Sequence, residues 1–443
     1  MIQALQLLLS LSILVVLHEF GHYITAKMFG CKVEKFYLFM DWNFALFKKK
    51  IGETEFGVGW LPLGGYVKIA GFIDESMDST GMESVPQPWE LRAKPAWQRL
   101  IVMLGGIVVN LLLAWLIYSM ILFCWGDTYT PMSKLVDGIS FNEDGEKLGF
   151  RDGDVLISID GVEVFEFDQM MLLSSILFEG AQNIVVRRGG LDVPVLINNN
   201  LVKEIISNLG ASKSPLFSPN YRWVVESFLS SSIAERSGLM VGDRVLAIND
   251  FETEFYNPSS VVNYLGSKAG EKIKLTVEKS FTKEIVLIEF VLGNDGVLGV
   301  IPSTKDYIES RSYSFFPSFF AGWEKTVGVV KMYWGQVKTI FNPSTGGYKH
   351  VGGVISIGKM FPGEWNWLVF WSMTALLSII LAIMNLLPIP ALDGGHALIA
   401  VIEMITGKKM PIKILMPLQI AGMVILFALL IYANGMDIIR LFN

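Results

Sequence analysis

His18-Glu19-Phe20-Gly21-His22 interrupts an apolar run in which Met1 to Leu17 carries no charged side chain and only Gln3, Gln6, Ser10 and Ser12 are polar. The first lysine after the interruption is Lys27. A run of this length suits a helix that crosses a bilayer, for which about 20 apolar residues suffice. On a helix, positions i and i+4 share a face, so His18 and His22 can address one metal ion. Glu19 then lies beside that ion, where a carboxylate can take a proton from a bound water. His18 lies roughly 23 Å along a helix that starts near Gln3, within the hydrocarbon layer and nearer its lysine-bearing side. Ionisable residues at such depth are costly and mark function. The residues favour zinc-assisted peptide hydrolysis carried out inside a membrane. A cleaved signal peptide is the competing reading. It is disfavoured because the run has no basic n-region and no small-residue cleavage site, and because cleavage would discard the histidine pair.

The totals agree with a membrane protein. The 443 residues are 52% hydrophobic and 18% charged, with a mean hydropathy of +0.46. A net charge of −6 argues against a nucleic-acid partner. Two cysteines, Cys31 and Cys124, cannot build a disulfide framework. Hydropathy marks four spans, near 3–26, 100–125, 367–390 and 414–434. Ten lysines and arginines lie between Thr25 and Arg99, and Lys408, Lys409 and Lys413 precede the last span. If all four segments span, both basic loops share one side, which the positive-inside rule makes the cytoplasm. Both termini and the long 126–365 region then lie outside.

Between the first two spans, Glu53–Phe72 reads E-T-E-F-G-V-G-W-L-P-L-G-G-Y-V-K-I-A-G-F. Its aromatic and branched residues, with Pro62 and Gly64-Gly65, suggest a membrane-associated hairpin or short sheet. An uncovered strand edge there could pair with an unwound substrate. Residues 74–97, with Pro86, Pro88 and Pro95, read as a loop. The second span carries Gly105-Gly106 and Asn110; close helix packing explains them, and a polar contact near the active site is the alternative.

The outer region repeats itself. Gly149–Gly161 (G-F-R-D-G-D-V-L-I-S-I-D-G) matches Gly238–Asp250 (G-L-M-V-G-D-R-V-L-A-I-N-D) at an offset of 89 residues. The pattern G-x-x-x-G-D-x-[VI]-L-x-I-[DN] resembles PDZ domains, and Ser231–Leu239 resembles the usual approach to that turn. The expected division is a catalytic membrane part at 1–125, PDZ-like domains at 126–212 and 213–305, an amphipathic interfacial segment at 306–365, and a second catalytic membrane part at 366–443. His350 stands alone and is read as structural.

Two histidines need a further protein ligand for a catalytic zinc. Asn385-Leu386-Leu387-Pro388-Ile389-Pro390-Ala391-Leu392-Asp393-Gly394-Gly395-His396 breaks the third span. Loose backbone is tolerated at that depth only in a protein-lined or wet cavity. Asp393 offers an oxygen there, and His396 is a rival ligand that spacing does not exclude. H-E-F-G-H, G-G-x-x-x-N, the doubled PDZ-like pattern and N-x-x-P-x-P-x-x-D-G-G-H together resemble the bacterial site-2 protease family of RseP type, along both ends and the middle of the chain. The resemblance implies that His18, His22 and Asp393 bind Zn2+ and that Glu19 is the general base. It implies that Asn385, Pro388 and Pro390 shape the cleft, and that the 53–72 sheet, with Gly64, Gly65 and Tyr66, engages substrate. It implies a multi-pass protein of the bacterial inner membrane, active towards the cytoplasm, whose extracytoplasmic PDZ pair admits only trimmed substrates. Those substrates are single-pass membrane proteins such as anti-sigma factors and leftover signal peptides, cut in regulated intramembrane proteolysis. A non-catalytic PDZ adaptor in the lipid bilayer is the alternative, and a zinc transporter a weaker third reading.

Overall fold

The computed structural model describes residues 1–72, 85–208, 215–230, 232–253, 255 and 258–442. Part of the expected 74–97 loop (74–84), the expected 212/213 domain boundary and Ser231 lie outside the described residues. The chain forms two compact units: Met1–Gly126 with Ser312–Trp334 and Lys349–Asn443, and Asp127–Arg311 with Gly335–Tyr348.

Five helices organise the first unit: α1 (Ile2–Met28), α2 (Ala96–Cys124), α3 (Trp367–Leu386), α4 (Asp393–Thr406) and α5 (Ile412–Phe442). Among the described residues, α1, α2, α3 and α5 are the four helices long and apolar enough to cross a membrane. The third ends at Leu386 rather than 390, because Pro388 and Pro390 cannot donate to the helix ladder and crowd the turn before them. Contact between α1 and α2 is at backbone distance, since a Cβ on Gly21 would run into the Gly105 carbonyl and one on Gly105 into Gly21. Without a hydrophobic drive between helices in lipid, such small-residue contacts supply the packing. Three polar side chains on the spans find partners: Gln3 Nε2 donates to Phe361 O (2.8 Å), Gln6 Nε2 to Pro362 O (2.9 Å) and Trp115 Nε1 to Phe319 O (2.8 Å). Arg99 on α2 pairs with the buried Glu403 on α4, whose second oxygen accepts from Met410 N (2.7 Å).

Two long strands, β1 (Val33–Ile51) and β2 (Thr54–Ile69), pair antiparallel between α1 and α2. The 53–72 stretch is therefore one strand of a longer hairpin that turns at Gly52-Glu53, and not a hairpin in itself. Pro62 and Gly64-Gly65 bend the strand without ending it, while the charged Lys48-Lys49-Lys50 belongs to a strand with its side chains exposed. The register is shifted repeatedly, so Lys35–Leu38 lies between Gly65–Lys68 on one side and Glu55–Val58 on the other. Residues Gly65–Lys68 consequently form an edge, with no strand on their outer side among the described residues.

In the second unit the repeat folds twice in one pattern. Strands Val162–Glu163, Val155–Ile159, Asn183–Arg188 and Leu191–Leu196 form a sheet in that spatial order. Strands Phe251–Glu252, Arg244–Ile248, Lys272–Glu278 and Ile285–Val291 form the second in the same order. Each sheet has its own core, around Phe150, Leu156 and Phe217 in one and Trp223, Val245 and Leu275 in the other. The segment expected to be interfacial contains the helix Phe315–Phe341, on which Phe316, Phe320 and Trp323 are exposed.

Candidate metal and catalytic site

Site geometry begins with the four-residue spacing on α1. His18 and His22 are buried, with ring centroids 4.9 Å apart and nearly perpendicular planes. Gly106 on α2 makes room for both, because a Cβ there would strike each ring. The His22 Nδ1 lies 2.8 Å from Val102 O. A carbonyl only accepts, so Nδ1 carries the proton and Nε2 presents its lone pair.

Asp393 reaches the same point from across the unit. The helix break at Leu387–Leu392 makes Asp393 the first residue of α4, where a carboxylate is favoured by the helix dipole. Ala391 in that break has φ +103°, a conformation costing about 1–3 kcal/mol for a residue with a Cβ and held by its surroundings. Asp393 Oδ2 lies 3.1 Å from His18 Nε2 and 3.2 Å from His22 Nε2, and the two Nε2 atoms are 3.3 Å apart. With both Nε2 atoms unprotonated, three acceptors at such distances repel unless a cation sits among them. The donor set and spacing fit zinc: four tetrahedral ligands at about 2.0–2.1 Å stand about 3.3 Å from one another. His18, His22 and Asp393 are the group that could hold a metal among the described residues. His396 is not part of it; its ring instead packs edge-on against Phe72 with centroids 4.8 Å apart.

These atoms open on a cavity of about 700 Å³. Glu19, Asn385, Gly64, Gly65, Tyr66 and His396 line it, as do Val67, Lys68 and Ile69 of the β2 edge. Asn385 Nδ2 lies 3.4 Å from His18 Nε2. Pro388 and Pro390 do not line the cavity and act on it through the helix break. Sequence reasoning overlooked Lys35, Asp41 and Gln419, which also line it. Asp41 accepts from Tyr66 Oη (2.8 Å) and Lys35 Nζ (3.0 Å). Burial pushes the Asp41 carboxyl up, but these two bonds outweigh it and hold the group below its usual range. On the neighbouring Tyr37, burial and the Glu55 carboxylate that accepts its hydroxyl both push the phenol well up.

A family model described as peptidase family M50 matches residues 6–429. Similar proteins include the regulator of sigma E protease of Haemophilus influenzae, 27% identical over 98% of each chain. Protease RseP of Yersinia pestis is 26% identical over 90% of each. A Vibrio cholerae serotype O1 protein with a provisional zinc metalloprotease name is 28% identical over 98% of each.

Proposed function

The chain belongs to peptidase family M50, the site-2 proteases, and is a zinc metalloprotease; from that premise we propose that it cleaves the transmembrane segments of single-pass membrane proteins. His18, His22 and Asp393 hold the zinc, and Glu19 is the general base. The observation that carries this reading is the convergence of two buried imidazole nitrogens and one half-buried carboxylate oxygen, 3.1–3.3 Å apart, from residues 18, 22 and 393. A non-catalytic PDZ adaptor leaves that convergence without a purpose.

When bound, zinc polarises the scissile carbonyl and brings the pKa of water towards neutrality. Glu19, next to His18 on α1 and bordering the same cavity, takes the proton as water attacks and delivers it to the leaving amine. Asn385 offers an amide donor beside the ligand cluster, suited to a substrate carbonyl. A transmembrane helix conceals its carbonyls in internal hydrogen bonds, so the substrate must unwind before the cut. The Gly65–Lys68 edge compensates the freed groups by strand addition. Tyr66, anchored by Asp41, orients that edge, and Gly64 and Gly65 leave room for the substrate backbone. Pro388 and Pro390 serve by ending α3, which brings Asp393 to the start of α4.

The two repeats are PDZ-like domains, at 126–212 and 213–305, flanked by membrane catalytic parts at 1–125 and 366–443 and followed by an interfacial segment at 306–365. Their shared strand order supports the duplication. Lysines flanking the spans support a cytoplasm-facing active site and extracytoplasmic repeats in a bacterial inner membrane. The sigma E regulator name of the Haemophilus relative supports an anti-sigma factor as substrate, and the family resemblance adds leftover signal peptides. The cut is then the later one in regulated intramembrane proteolysis, made after the PDZ pair admits a trimmed chain. The test is Glu19→Gln co-expressed with a single-pass substrate: zinc is kept and cleavage falls by about 10²–10⁴-fold. Undiminished cleavage would remove Glu19 from its role.

A further inference from the structure

Asn110 lies in the middle of α2, fully buried, with its amide 3.1 Å from His18 Nδ1. We propose that Asn110 is a positioning residue whose side-chain oxygen accepts the Nδ1 proton of His18 and thereby fixes Nε2 as the atom turned to the metal. The inference rests on the zinc site proposed above and names the group that sets one of its ligands.

The tautomer follows from the distances. His18 Nε2 is the ring nitrogen within 3.1 Å of Asp393 Oδ2 and 3.3 Å of His22 Nε2. If Nε2 ligates, a neutral imidazole must carry its proton on Nδ1 and donate from there. Asn110 can accept that proton only through its oxygen, and a half-turn of the amide exchanges oxygen for nitrogen. With nitrogen towards the ring, the Asn110 oxygen is buried without a hydrogen-bond partner, a cost of about 1–3 kcal/mol. The half-turn supplies the acceptor His18 needs and satisfies that oxygen together. His22 is set in the same way by Val102 O, so a carbonyl-type oxygen from α2 stands behind each ring.

Asn110 is itself held. Ser378 Oγ on α3 donates to the main-chain carbonyl of Asn110 at 2.7 Å, and both residues are fully buried. Gly106, one turn earlier on the same helix, accommodates the two rings. A chain of contacts thus runs from α3 through α2 to the ligand on α1, and outer partners of this kind fix ligand orientation and basicity.

The experiment compares full-length Asn110→Leu and Asn110→Asp in detergent, measuring zinc affinity by chelator competition and folding by thermal melting. Asn110→Leu removes the acceptor at similar volume, and zinc affinity should fall about 10–100-fold. Asn110→Asp keeps an oxygen facing Nδ1 and should bind zinc as tightly as wild type. A residue that only filled space would behave in reverse, with leucine accepted in an apolar helix and a buried carboxylate rejected. Wild-type zinc affinity in Asn110→Leu overturns the proposal, as does a loss in Asn110→Asp equal to that in Asn110→Leu. Should the leucine variant not fold, the aspartate variant decides alone: retained zinc supports the role and lost zinc overturns it. His22→Ala is the reference. If it keeps its zinc, the metal-site reading itself fails; if it loses zinc while Asn110→Leu does not, only the positioning role fails.

Discussion

Asp154 and Asp243 in the repeated unit and Asp393 in the membrane unit are all carboxylates set into protein, and they are treated in opposite ways. Asp154 is 1% exposed, accepts from Arg188 (2.6 Å) and from Arg151 N (2.9 Å), and so has its charge answered. Asp243, at the matching place in the second copy, accepts from Lys279 (2.7 Å), Met240 N (2.9 Å) and Ser280 N (3.1 Å). Asp393 faces the Nε2 atoms of His18 and His22 at 3.1 and 3.2 Å; with both nitrogens unprotonated, as the proposed metal site requires, their lone pairs point back at it. A buried charge matched by fixed donors is scaffold, and its reappearance in both copies of the repeat marks it as such. Acceptors turned on one another hold their positions for something that arrives from outside.

The largest effect should separate these two kinds of aspartate. Asp393→Asn alters a proposed direct ligand, so zinc affinity should drop by more than the roughly 100-fold typical of outer partners, with cleavage lost. Unchanged metal content would instead move the third ligand to His396 and dissolve the contrast. Asp154→Ala should do the converse. It removes the acceptor shared by Arg188 and Arg151 N and destabilises its unit by about 1–3 kcal/mol, seen as earlier proteolytic nicking of residues 127–208, while zinc content stays at the wild-type level. A smaller effect is expected at Asp41, a third case in which a carboxylate is matched by donors at the cavity wall. Its carboxyl is held low, so the stabilisation is complete above its unfolded value and disappears as pH falls through the folded one. Hydrogen exchange at Gly65–Lys68, corrected for intrinsic rates, should quicken on acidification in the wild type and show no such acid step in Asp41→Asn.

Several elements were legible because their signals are local. The i, i+4 histidine spacing, the four apolar runs and the 89-residue offset all survive without a fold. The prolines at 388 and 390 announced a broken helix, and the break ends with Asp393 at the start of α4. Other elements were hidden. Lys48-Lys49-Lys50, counted in the sequence only as charge between the first two spans, forms part of β1, because strand pairing through the backbone is indifferent to exposed lysines. Lys35, Asp41 and Gln419 gave no sign of lining the cavity, since nothing in their neighbours' periodicity points to it. Asn110 was visible as an amide in an apolar helix, but its partner was not.

Taken alone, the sequence determined which segments are long and apolar enough to cross a membrane, which two imidazoles share a helix face, and that one stretch recurs 89 residues later. These depend on hydropathy and on helical or tandem periodicity, which neighbouring residues set. Only the tertiary structure decided that Asp393 rather than His396 meets the histidines, that residues 65–68 form an edge, and that α2 places the Val102 carbonyl and the Asn110 amide behind the rings. Those outcomes depend on groups tens to hundreds of residues apart converging within about 3 Å, the reach of a hydrogen bond, and no local pattern encodes that distance.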